Sequence, residues 1–94
     1  MYVLITYDVA TSDRAGARRL RRIARACLDY GQRVQNSVFE CKLSAQHWAL
    51  LRERLIREMN PEQDSLRFYF LEADIVIEHH GTKVPIDFED TLIV

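Results

Sequence analysis

Tyr2 to Asp8, YVLITYD, carries β-branched and aromatic residues on both alternating sets of positions and ends in a carboxylate. That pattern predicts a central strand. Beyond it, Leu20, Ile23, Ala24, Cys27 and Leu28 recur at intervals of three and one, which places them on one face of a helix. Thr11, Ser12 or Asp13 can cap its start and Gly31 its end. The stretch GQRVQNSVFECKL holds two short extended runs about Asn36-Ser37, predicting either a hairpin or one strand broken by a bulge. Ser44 then caps a second helix with an apolar row of Trp48, Leu51, Leu55 and Met59, and Asn60-Pro61 stops it. A polar link, PEQD, leads into the strand SLRFYFL. A further strand is expected over Ala73 to Glu78, then a turn at His79-His80-Gly81 and an apolar tail ending in TLIV.

The resulting order, β-α-β-β-α-β with an additional C-terminal strand, is the split βαβ arrangement. This α+β, ferredoxin-like fold has an antiparallel sheet with two helices on one face. Its other face lacks cover, and a second copy laid sheet against sheet would supply it. With 94 residues and 11.1 kDa the chain has room for one domain, residues 1–94. Residues 72–94 form a C-terminal tail suited to dimer or partner contacts, in which Leu92-Ile93-Val94 could extend a sheet edge.

Some classes are excluded. The longest apolar run is far short of the roughly 20 residues that span a bilayer, and no basic segment precedes a cleavable hydrophobic stretch. A cytoplasmic protein with no membrane partner is expected. Cys27 and Cys41 lie within apolar patterns and lack metal-ligand spacing, so buried free thiols are the expectation.

The net charge of −1 conceals an asymmetry. Residues 1–42 hold seven Arg and one Lys against four acids, whereas residues 62–94 hold Arg67 and Lys83 against eight acids. A basic face suited to a polyanion therefore coexists with an acidic end.

Asp8 stands where an apolar strand stops and the sheet end opens to a loop. A carboxylate there can bind a hard cation such as Mg²⁺, or serve merely as a turn or capping residue. Two copies near a two-fold axis could share one ion. Arg14, Arg18, Arg21, Arg22 and Arg25 form an exposed stripe on the first helix beside Arg19, and Arg33 adds to the same end. Guanidinium forks suit phosphate, although a charged helix face is often only solvated. Tyr7, Phe39 and Tyr69 could stack on bases or belong to the core. Adjacent His79 and His80 make a poor chelate. No Gly-rich phosphate loop, C-x-x-C pair or G-x-S-x-G elbow is present.

Taken in order, MYVLITYD, the Arg-rich helix, GQRVQNSVFEC, the segment DSLRFY and the end EDTLIV resemble the CRISPR-associated protein Cas-two (Cas2) family, especially members of type I systems. The resemblance implies a ferredoxin-like protomer, a face-to-face homodimer and a role in spacer acquisition, where the dimer bridges dimers of the Cas-one integrase and supports DNA. It also implies a Mg²⁺-dependent endonuclease activity in some members, on single-stranded RNA or double-stranded DNA. The metal ligand and catalytic residue would be Asp8, shared across the dimer. Arg14, Arg18, Arg22, Arg25 and Arg33 would bind nucleic acid, supported by Tyr7, Ser37 and Phe39.

Two functions follow from that resemblance, an adaptation scaffold that survives loss of Asp8 and a nuclease that does not. A small-molecule-binding or regulatory ferredoxin-like dimer is the alternative on architecture alone.

Overall fold

A computed structural model describes residues 1–82. The elements run β1 (Tyr2–Asp8), α1 (Arg14–Tyr30), β2 (Gln32–Gln35), β3 (Val38–Lys42), α2 (Ala45–Glu58) and β4 (Ser65–Leu71). The strands form one sheet in the order β2-β3-β1-β4 with every pairing antiparallel. This is the expected ferredoxin-like α+β arrangement, with β1 central.

Along β1 the burial alternates, because successive side chains point to opposite faces. Val3, Ile5 and Tyr7 are buried toward the helices, and Asp8 ends the strand exposed. Phe39 and Cys41 of β3 join them, opposite Ile23 and Cys27 of α1 and Leu51 and Leu55 of α2. Phe68 of β4 meets the Trp48 ring edge-on at 4.8 Å, an arrangement favoured by the ring quadrupoles. Leu28, expected on the apolar face of α1, is 45% exposed, and Ala26 is buried instead. The helix turns its inner face toward both the sheet and α2, which shifts the buried stripe by a fraction of a turn.

Each helix starts on a side-chain cap. Asp13 Oδ1 accepts from Gly16 N at 2.8 Å, and Ser44 Oγ from His47 N at 3.1 Å; both satisfy an amide that lacks an intrahelical partner. Gly31 does terminate α1, donating to Cys27 O at 2.8 Å, but its backbone is extended, at φ −157°. Glycine is required there by crowding: a Cβ would sit 2.4 Å from Glu40 O and 2.4 Å from Cys41 Sγ.

Of the two readings of the GQRVQNSVFECKL segment the hairpin holds, and the single strand broken by a bulge does not. β2 and β3 form a hairpin turning at Asn36-Ser37, and the register shifts between Arg33 and Gln35, so a bulge at Val34 lies inside it. The strand expected over Ala73 to Glu78 does not form. A turn occupies Ala73-Asp74, with Ile75 N donating to Glu72 O at 3.2 Å, and no sheet pairing follows among the described residues. Its β-branched run has the right propensity, but a strand also needs an edge to pair with, and Val76 is left 88% exposed. Residues 77–82 run beside β2 and β3, enclosing a cleft of about 540 Å³ with Gln32, Val34 and Glu40. The strand expected at Thr91 to Val94 lies outside the described residues.

Candidate nucleic-acid interface

Asp8 stands at the rim of a cleft of about 520 Å³ between the end of β1, the middle of α1 and the β2–β3 turn. Tyr7, Arg21, Arg33, Asn36 and Ser37 share that cleft. Three elements distant in sequence are joined here because β1 hands the chain to α1 at the end where the β2–β3 hairpin turns. Tyr7 N donates to Ser37 O at 3.1 Å, and the Tyr7 hydroxyl to Asn36 O at 3.2 Å. Together they pin the turn against the strand that carries Asp8.

The loop after Asp8 is fixed by Asp64. Its enclosed carboxylate accepts from Arg19 Nε at 2.8 Å, Arg19 Nη2 at 3.2 Å, Ala10 N at 3.1 Å and Asn60 N at 2.8 Å. Desolvation alone would raise the Asp64 carboxyl; the Arg19, Asn60 and Ala10 hydrogen bonds and the Arg19 charge together outweigh it and hold the group below its ordinary value. Gly16 lets the loop approach α1, since a Cβ there would lie 1.9 Å from Ala10 O.

The arginine stripe is exposed as expected, but its members differ. Arg22 lies 3.8 Å from Glu58, and Arg25 lies 3.4 Å from Asp29, which also accepts from Arg54 at 2.9 Å. These exposed pairs weaken the phosphate-binding assignment of Arg22 and Arg25, because acids from α2 and from α1 itself already offset their charge. Arg14, Arg18 and Arg21 have no ion pair among the described residues. Arg33 lies over the Phe39 ring, 5.1 Å from its centroid.

Tyr7 and Phe39 are not base-stacking platforms. Tyr7 is 5% exposed and Phe39 0%, with their rings stacked on each other at 6.1 Å. Their support for the site is internal, Phe39 seating Arg33 and Tyr7 holding the turn. Burial, above all, pushes the Tyr7 phenol up, with Cys27 adding and Arg33 opposing, so it stays protonated at neutral pH. Tyr69 remains 41% exposed, its hydroxyl 3.2 Å from Arg67 Nη1. The register sets Thr6 opposite Arg67 and Asp8 opposite Ser65, which puts Arg67 on the sheet face turned away from the helices.

Two of the residues that shape this region carry little signal in the sequence. Arg21 is one of six helix arginines, and only its place beside Leu20 and Ala24 marks it as lying at the edge of the apolar stripe. Asp64 belongs to a polar link. A signal exists only on its partner, since Arg19 shares the inward face of α1 with Ile23 and Ala26.

A hard cation of the Mg²⁺ type is held by one or two carboxylates, with water and substrate phosphates completing its shell. The described residues contain no group of three His, Cys, Asp or Glu able to hold a metal. One exposed carboxylate at the edge of an open cleft, Asp8, fits a cation of that kind whose remaining ligands are water and phosphate oxygens. No helix among the described residues is long and apolar enough to cross a membrane.

The fold and the site define a small ferredoxin-like α+β protein whose strand-end carboxylate shares a cleft with arginines that have no ion pair among the described residues. Residues 1–75 match the family CRISPR associated protein Cas2, and the chain belongs to that family. A CRISPR-associated endoribonuclease Cas2 from Chlorobaculum tepidum is 56% identical over 96 residues, spanning 100% of this chain and 100% of the relative. A CRISPR-associated endonuclease Cas2 from Halalkalibacterium halodurans is 50% identical over 95 residues, covering 99% of each. The crystal structure of Streptococcus pyogenes Cas2 superimposes with a TM-score of 0.72 at 49% identity, covering 79% of this chain and 89% of that one.

Proposed function

We propose that this protein is a dimeric nucleic-acid-binding subunit of CRISPR spacer acquisition, working with the Cas-one integrase and carrying an intrinsic Mg²⁺-dependent endonuclease activity on single-stranded RNA or double-stranded DNA. The observation that carries the reading is the cleft at Asp8, where Arg21 and Arg33 stand uncompensated among the described residues. The names of the relatives as endoribonuclease and endonuclease support it. The uncovered sheet face supports a homodimer joined face to face, which would bring two Asp8 carboxylates toward one axis.

Bound Mg²⁺ supplies Lewis acidity to a phosphodiester and acidity to a water. Asp8 would hold the cation at the strand end. Arg14 and Arg18, at the start of α1, take phosphates on the approach to the cleft and offset charge that develops during cleavage. Arg33 is kept in place by the ring beneath it.

Labelled single-stranded RNA and double-stranded DNA, incubated with wild type or Asp8→Asn in Mg²⁺ or EDTA, test the reading. Cleavage requiring both metal and Asp8 supports the nuclease and names its substrate. A folded, DNA-binding dimer that cuts neither supports the scaffold alone, and cleavage by both proteins refutes the role of Asp8.

A further inference from the structure

We propose that the cleft beside Asp8 is a subsite for one unstacked nucleotide of a nucleic-acid strand, with its phosphate held by Arg21 and Arg33 and its base laid against Leu20 and Ala24. This rests on the nucleic-acid reading above and adds which part of the strand enters the protein.

The cleft has two chemistries. Val9, Leu20 and Ala24 form an apolar wall, while Arg21 and Arg33 supply two cations. Its volume of about 520 Å³ falls within the roughly 300–1,000 Å³ of small-ligand sites. A volume of that order suits one base splayed from a strand. Proteins that read single strands hold such bases on apolar or planar cationic surfaces. With Tyr7 and Phe39 buried, the surface offered to a base here is the aliphatic wall.

Charge compensation points to the same place. Arg19, Arg22 and Arg25 of α1 each have a carboxylate partner. Arg21 has none among the described residues and lines the cleft. Arg33, drawn over the Phe39 ring, is pre-positioned by a cation–π contact, which lowers the ordering cost of gripping a phosphate. The Asn36 carboxamide and Ser37 hydroxyl have no hydrogen-bond partner among the described residues, and their turn is pinned by Tyr7. They provide a donor and acceptors for a base edge or ribose.

The test is titration of the ¹⁵N-labelled protein with a nucleoside 5′-monophosphate, the matching nucleoside, inorganic phosphate and a short single-stranded oligonucleotide. The monophosphate is expected to shift the amides of Val9, Asn36 and Ser37 and to bind more tightly than nucleoside or phosphate alone. The oligonucleotide is expected to shift the same amides at lower concentration; monophosphate binding without that would assign the cleft to a free nucleotide and overturn the proposal. Arg21→Gln and Arg33→Gln should each weaken monophosphate binding by about tenfold, as loss of a charge-assisted hydrogen bond does, while Arg52→Gln on α2 leaves it unchanged. Ala24→Leu narrows the cleft without altering charge and should abolish the shifts. If that variant does not fold, Leu20→Gln tests the same wall. Equal weakening by all three arginine variants, or an unaltered response in the wall variant, would reduce the effect to general surface charge and overturn the proposal. Nucleotide bound in the cleft without cleavage would remove the nuclease reading and leave this one, whereas cleavage indifferent to both wall variants would do the reverse.

Discussion

Arg19 and Asp64, 45 residues apart, are joined by hydrogen bonds of 2.8 and 3.2 Å. The same carboxylate takes the amides of Ala10 and Asn60, so one enclosed side chain ties the loop after β1 to α1 and to the α2–β4 link.

Asp64→Ala removes all these hydrogen bonds and leaves the Arg19 guanidinium and two amides without their acceptor. The melting temperature should fall by roughly 12 °C or more. Because its folded pKa is lowered, Asp64 binds fewer protons folded than unfolded. Its stabilisation is therefore fully present above the ordinary aspartate value of 3.8 and is lost as pH falls through the lower folded value. Acid unfolding followed by circular dichroism should show that component in wild type and lack it in Asp64→Asn.

Gly16→Ala would force the loop away from α1, because backbone rather than a flexible side chain occupies the space a Cβ needs. A loss of about 1 to 3 kcal/mol is expected. Urea denaturation measures it, and amide shifts at Val9 to Ser12 should show that the loop beside Asp8 has moved.

Arg14→Gln and Arg18→Gln should each lower the salt dependence of DNA binding, with the slope of log K against log salt falling by about 0.7 to 0.9 for every phosphate no longer neutralised. Arg22→Gln should do less, since Glu58 already offsets that charge. Fluorescence anisotropy across a salt series separates the two cases. Equal slopes for all three variants would contradict the distinction between paired and unpaired arginines.

Cys27 and Cys41 are free and buried, and burial, chiefly, pushes both thiols up to about 12. Little thiolate exists at neutral pH, and reagents cannot reach it. Both cysteines should resist iodoacetamide in the native protein and react after denaturation, as counted by mass spectrometry. Fast native labelling at neutral pH would contradict the packing of α1 against β3.

The elements were legible because local patterns encode them. The 3,1,3 spacing of Leu20, Ile23, Ala24 and Cys27 and the caps Asp13 and Ser44 act within a few residues, and the β-α-β-β-α-β order follows from them. The Ala73 to Glu78 segment misleads for the complementary reason: propensity is local, but a strand exists only where a partner edge offers hydrogen bonds.

At the candidate site the sequence brings out Asp8, Arg33, Ser37 and the arginine stripe by residue type. It leaves open whether Tyr7 and Phe39 stack on bases or pack in the core, since an aromatic residue on an alternating strand suits either, and burial beneath α1 decides it. Nor does it distinguish Arg21 from Arg22. They are neighbours in the chain, yet the helix turns one toward the cleft and the other toward Glu58.

The sequence by itself determined the order of the elements, the basic first half and the carboxylate at the end of β1, all set by periodicity and composition. Only the tertiary structure decided which arginines stay uncompensated among the described residues, which face carries Arg67, and that Asp8, Arg21 and Arg33 share one cleft. Those relations join residues far apart in the chain, through sheet register and helix rotation that no local pattern specifies.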